Sequence, residues 1–132
     1  MKVNKLVEEE IIKNFVVKNR QERILWELAS SKKRDQTFWR FAGPGIFKNE
    51  CLEKLNYMSP DELESYLLAF IQTEQVYYLG EMYIGKTTIK EALEKIQSGC
   101  IGIIYFENGV GYYQGEEENG CRPRYLLKVS TK

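Results

Sequence analysis

The stretch CIGIIYFENGVGYYQGEEENGCRPRYLLKV, Cys100–Val129, decides the fold. Two apolar runs rich in strand formers, Cys100–Phe106 and Arg124–Val129, flank a segment bearing glycine and tyrosine, Gly111–Gln114. That composition predicts three consecutive strands. Asn108-Gly109 lies between the first two and is a hairpin signal, because both residues tolerate positive φ. Neighbouring residues of a strand point to opposite faces, so one of Tyr112 and Tyr113 is expected to be exposed and the other buried. The run Glu116, Glu117 and Glu118 follows directly. Aromatic surface beside concentrated negative charge, with no base, nucleophile or metal cage nearby, points to a surface that grips a partner.

Working outward, Gln75–Leu79 and Met82–Ile84 read as two further strands joined by a turn at Gly80-Glu81. Thr88-x-x-Glu91 is a capping box opening a helix that carries Ile89, Ala92, Leu93 and Ile96 and ends at Gly99. Ser59-Pro60-Asp61-Glu62 places an N-cap serine before a proline at the first helical position, with glutamate at the third. The helix it opens is expected to reach about Gln72 and to bury Leu63, Leu67, Phe70 and Ile71. Phe47–Leu55 reads as a short helical or irregular piece. Upstream, Gln21–Ala42 has helical periodicity with a break at Ser30-Ser31, and Gly43-Pro44-Gly45 stops it as a hinge. In LVEEEIIKNF, Leu6, Val7, Ile11 and Phe15 recur at near-helical spacing around solvated glutamates. Helices followed by β-β-α-β-β-β predict an α+β fold, a mostly antiparallel sheet packed on one side by helices. At 132 residues the chain is expected to be a single domain, 1–132, helical over 1–72 and sheet-rich over 73–132.

Composition narrows the function. Histidine is absent, which removes Ser-His-Asp and Cys-His nucleophiles and histidine-ligated zinc. Cys51, Cys100 and Cys121 are widely spaced and read as reduced thiols, with neither a disulfide framework nor a metal site. No apolar run approaches the roughly 20 residues a bilayer requires, so no membrane span is expected. Glutamates occupy the place of a signal peptide's apolar stretch, which predicts a cytoplasmic protein.

The formal net charge is zero, but the charges are segregated. Lys18, Arg20, Arg23, Lys32, Lys33, Arg34 and Arg40 face only Glu22, Glu27 and Asp35 within residues 18–40, whereas Glu107, Glu116, Glu117 and Glu118 have no basic neighbour in sequence before Gly120. A basic face and an acidic face are therefore expected.

GEMYIGKT, Gly80–Thr87, fits the phosphate-loop pattern G-x-x-x-x-G-K-S/T. A phosphate loop needs small residues so that successive amides can wrap the anion, and the interior Glu-Met-Tyr-Ile is bulky and acidic. The segment is read as strand, turn and capped helix. Trp26, Phe38, Trp39 and Phe41 among lysines and arginines suggest stacking and phosphate contacts. The reading adopted is an amphipathic helix with its aromatics in the core and its cations solvated. The Glu116–Glu118 run lacks calcium-loop spacing and is read as an electrostatic patch for a basic partner. Arg122 and Arg124 are its candidate internal counter-charges.

KKRDQTFWRF (Lys32–Phe41), IKEALEKI (Ile89–Ile96) and the terminal pattern GYYQGE…RYLL together resemble small bacterial immunity proteins of polymorphic toxin systems, including contact-dependent growth inhibition. The resemblance spans much of the chain as a pattern of residue types. It implies a cytoplasmic, non-enzymatic protein without cofactor that covers the active site of a cognate toxin domain, often a nuclease. Carboxylates complement the basic site of a nuclease, so Glu107, Glu116, Glu117, Glu118 and Tyr112 or Tyr113 are the expected contact residues. The alternative is a nucleic-acid-binding or regulatory protein using residues 18–41. A small enzyme ranks third.

Overall fold

The computed structural model describes residues 3–71, 75–80, 83–97, 101–117 and 122–129. Six antiparallel strands, β1 (Leu52–Lys54), β2 (Gln75–Gly80), β3 (Ile84–Thr88), β4 (Gly102–Tyr105), β5 (Val110–Gln114) and β6 (Arg124–Lys128), form one sheet in the order β1-β6-β5-β4-β2-β3. With helices placed before the strands and around the sheet, this is an α+β fold. Glu81 of the expected Gly80-Glu81 turn, Met82 of the expected Met82–Ile84 strand, the helix end at Gly99 and the strand start at Cys100 lie outside the described residues, and β3 runs over Ile84–Thr88, later than expected.

Helices cover both faces of the sheet, not one. Tyr77, Leu79, Ile103, Tyr105, Tyr113 and Leu127 are buried with α1 (Lys5–Phe15), α2 (Lys18–Ala29) and the segment that follows them. The alternate residues Val76, Tyr78, Ile104, Tyr112 and Leu126 are buried with α4 (Pro60–Leu68) and α5 (Ile89–Gln97). Central strands covered on both sides need continuous apolar residues and not alternation. The uninterrupted IGIIYF of Ile101–Phe106 carries that signature.

Both tyrosines of the Gly111–Gln114 segment are consequently core residues, Tyr112 and Tyr113 each being fully buried. This corrects the expectation that one of them is exposed. Burial pushes the Tyr112 hydroxyl up to about 12, and desolvation raises Tyr113 as well, so both act as neutral hydrogen-bonding groups. The β4–β5 turn forms at Asn108-Gly109 as expected, with φ of 56° and 72°. Glu107 also sits in the left-handed region, at φ 70°.

The N-terminal helices differ from the simple amphipathic reading. In α1, Leu6 is 81% exposed whereas Glu8 joins Ile11, Ile12 and Phe15 on the buried face. The α2 helix stops at Ala29, with Ser30 as its C-cap, in agreement with the expected break. A single-turn helix, α3 (Arg34–Thr37), then leads into a 3-10 turn, Phe38–Phe41. The Gly43-Pro44-Gly45 stop becomes a second 3-10 turn over Pro44–Ile46. Strand β1 escaped sequence reading because it is a three-residue edge strand with two exposed polar positions, paired to β6 through Leu52 and Leu127. The α4 capping box forms both of its hydrogen bonds, Ser59 N–H to Glu62 Oε1 at 2.9 Å and Glu62 N–H to Ser59 Oγ at 3.2 Å. That helix ends earlier than expected, at Leu68, and Phe70 and Ile71 pack against the core from the chain beyond it.

Candidate interaction surface

The acidic residues do not form one patch. Glu116 and Glu117 are exposed just beyond the end of β5, while Glu107 occupies the turn before its start. About 14 Å of strand lies between the two ends at ~3.4 Å per residue. Glu118 falls outside the described residues. Arg122 does act as a local counter-charge, at 4.0 Å from Glu117, and it donates to the Gly115 carbonyl at 3.0 Å. Arg124 instead lies over the Tyr57 ring, 5.6 Å from its centroid.

What the fold does bring together is the start of the acidic run and the aromatic, basic segment some 75 residues earlier (from Phe41 or Ala42 to Glu116). The Glu116 amide donates to the Ala42 carbonyl at 2.9 Å, and the Tyr113 hydroxyl donates to the Phe41 carbonyl. Gly115 makes this approach possible, since a Cβ there would stand 2.5 Å from the Ala42 carbonyl oxygen. The 3-10 turn is also held from beneath, because Phe38 and Phe41 are buried and Tyr113 packs against Phe47 with ring centroids 4.6 Å apart. Trp39 projects from this anchored turn and is 61% exposed.

The basic segment is only partly a solvated face. Arg34 makes a two-pronged contact with buried Glu8, which also accepts from the Tyr77 hydroxyl. Arg40 grips buried Glu27 side-on, its Nε and Nη2 each 2.7 Å from a carboxylate oxygen. Arg23 Nε adds a third donor at 3.1 Å and the Thr37 hydroxyl a fourth at 3.2 Å. Arg23 in turn lies 5.1 Å over the ring of Trp26, which is 54% exposed. Phe38 and Phe41 therefore belong to the core as expected, but Trp26 and Trp39 do not.

Hydrogen bonding from Arg40, ahead of that from Arg23 and Thr37, holds the Glu27 carboxyl at about 2, well below its ordinary value of 4.5, despite the opposing effect of burial. A carboxylate with a lowered folded-state pKa contributes stability that is complete above its unfolded value and is lost as pH falls toward the folded one. Acid titration is therefore expected to remove on the order of 2 kcal/mol between about pH 5 and pH 2 through this residue. Glu27→Gln should flatten that part of the stability–pH curve measured by urea denaturation. An unchanged slope would show that Glu27 does not carry it.

Next to Arg40, an open recess of about 260 Å³ is lined by Val17, Arg20, Arg40, Gly45 and Ile46. The α2 helix starts beside it with no side-chain cap and no acidic residue in its first turn. Gln21 does not serve as a cap, because its amide donates back to the Val16 carbonyl at 2.9 Å.

Sequence reading missed the structural part played by Glu8 and Glu27. Its signals were present: Glu8 shares the spacing of Ile11, Ile12 and Phe15, and Arg23 and Glu27 stand at i and i+4. The Gly85-Lys86-Thr87 portion of the phosphate-loop pattern lies inside β3, paired in register with Tyr78, Tyr77 and Val76. Thr88 Oγ1 accepts from the Glu91 amide at 3.2 Å, as a cap for α5. Cys51 is buried, its thiol donating to the Asn14 carbonyl at 3.5 Å, while Cys100 and Cys121 lie outside the described residues. Among the described residues no three acidic or thiol side chains converge as a metal set, and no helix is long and apolar enough to cross a membrane. Comparison with protein-family models, curated proteins and solved structures returns no match for this chain.

Proposed function

We propose that this protein is a stoichiometric protein-binding inhibitor, an immunity protein that neutralises a cognate bacterial toxin domain in the cytoplasm. The observation that carries the reading is the junction of Glu116 with Ala42, which ties the start of the glutamate run to the turn that bears exposed Trp39 and Arg40. Tryptophan and arginine dominate the energetics of protein interfaces, and a pinned turn lowers the ordering cost of using them. Charges of both signs steer encounter and set orientation. A nuclease is the first toxin class to test, because Glu116 and Glu117 complement a phosphate-binding site. Tyr112 and Tyr113 have no part in the contact surface.

The test is co-expression with the toxin domain encoded by the adjacent gene, read as growth rescue and as a one-to-one complex. Wild-type protein should rescue growth. Trp39→Ala should weaken the complex by about 2 kcal/mol, as hot-spot truncations do. Reversing Glu116, Glu117 and Glu118 to lysine should abolish protection while the circular dichroism spectrum stays unchanged. Full protection by both variants would remove this surface from the mechanism, and no rescue by the wild type would remove the immunity reading. One observation favours a second reading, nucleic-acid binding through residues 18–41: Trp26 and Trp39 are both exposed, and exposed aromatic rings among cations stack on bases. Salt-sensitive retention on single-stranded DNA would support it.

A further inference from the structure

Resting on the reading of a protein-binding inhibitor, we infer that the recess next to Arg40 receives a carboxylate side chain from the partner protein, between Arg20 and Arg40. Arg40 is already oriented. Its Nε and Nη2 are engaged by Glu27 at 2.7 Å, which fixes the guanidinium plane and leaves the Nη1 hydrogens for another acceptor. With its side chain 32% exposed, the group is at once accessible and immobilised. Arg20 lines the same recess, is exposed, and has no carboxylate partner among the described residues. Val17, Gly45 and Ile46 line the rest of the recess, and a charge-assisted hydrogen bond is stronger than one between neutral groups. The first turn of α2 adds positive field to the same place.

The recess suits a single carboxylate better than a nucleic-acid backbone. Ala42, which follows the 3-10 turn and precedes the Gly45-Ile46 wall of the recess, holds the Glu116 amide. A nucleic-acid backbone brings a run of phosphates to a segment tied to the start of the glutamate run, whereas a protein loop brings one carboxylate. The chain's zero net charge also lacks the broad positive field on which non-specific phosphate binding depends.

Gly45 provides a variant that adds bulk at the wall of the recess without touching its charges. A Cβ at Gly45 meets nothing within 4 Å, so a larger side chain there extends into open space. The experiment follows amide resonances of the 15N-labelled protein during titration with a blocked tetraglutamate peptide, and in parallel with an eight-residue oligothymidylate. The peptide should produce saturable shifts at Val17, Arg20, Arg40 and Gly45 that weaken with salt. Arg20→Glu and Gly45→Leu, each with an unchanged thermal midpoint, should each reduce the peptide affinity by about tenfold, the scale of one charge-assisted contact. Tighter binding of the oligonucleotide at these residues would overturn the inference, as would peptide shifts that survive both variants. Growth rescue separates this inference from the reading beneath it. Rescue by wild type and equally by Arg20→Glu defeats the recess and spares the immunity reading. Localised peptide binding without any rescue defeats the immunity reading and spares the recess as a carboxylate site.

Discussion

Tyr113→Ala is expected to destabilise the protein by about 4 kcal/mol, the range found when a buried aromatic is truncated to alanine. The ring is fully buried, lies 4.6 Å from Phe47 and 6.2 Å from Tyr125, and its hydroxyl holds the Phe41 carbonyl. Removing it opens a cavity and also releases the 3-10 turn that carries Trp39. Loss of partner binding in this variant would therefore report unfolding and not a lost contact. Tyr113→Phe isolates the hydroxyl: it keeps the packing, orphans one buried carbonyl and should cost about 1–2 kcal/mol. Urea denaturation of the two variants decides the matter. An unaltered midpoint for Tyr113→Ala, together with lost binding, would return the residue to the interaction surface.

Glu8→Ala is expected to cost about 3 kcal/mol, because it strands a buried cation. The Arg34 side chain is only 12% exposed, and its two-pronged partner is the Glu8 carboxylate at 4%. Its remaining tie is a hydrogen bond from Nη1 to the Leu28 carbonyl at 2.8 Å. Tyr77 loses its acceptor in the same variant, so helix α1, the start of α3 and strand β2 come apart at one point. The double variant Glu8→Leu with Arg34→Met should be less destabilised than Glu8→Ala alone, since two desolvated charges and the unpaired Arg34 Nε leave together. A double-mutant cycle measures the coupling directly. Additive costs would mean that the pair makes no specific contribution.

These two sites also show where sequence reading reaches its limit. A buried carboxylate is invisible in a hydropathy pattern, because its burial depends on a partner far along the chain. Glu8 meets Arg34 26 positions later and Tyr77 69 positions later. The periodicity of α1 was legible, but the helix is rotated so that Leu6 faces solvent and Glu8 faces inward. The strands were legible for a different reason. Val76–Leu79, Ile103–Phe106 and Tyr112-Tyr113 are dense in β-branched and aromatic residues, and turn chemistry at Asn108-Gly109 closes the central hairpin locally.

The candidate site divides along the same line. Its residue types, tryptophans among arginines and a glutamate run, stand out in the sequence, whereas their grouping does not. Glu107 and Glu116 are close in sequence yet separated by the length of β5, since an extended strand carries its ends apart. Glu116 and Trp39 are distant in sequence yet joined across Ala42.

The sequence by itself determined the order of helices and strands apart from the edge strand β1, because capping boxes, turn residues and apolar density act over a few residues. It also determined the chemistry that is unavailable, since a chain without histidine has no imidazole to deploy. Tertiary structure alone decided that helices cover both faces of the sheet, that Tyr112 and Tyr113 are core, that Glu8 and Glu27 are buried and paired with arginines, and that the turn bearing Trp39 is tied to Glu116 through Ala42. The physical reason is that burial and charge pairing belong to pairs of residues brought together in space, and the strand pairing that brings them together is non-local.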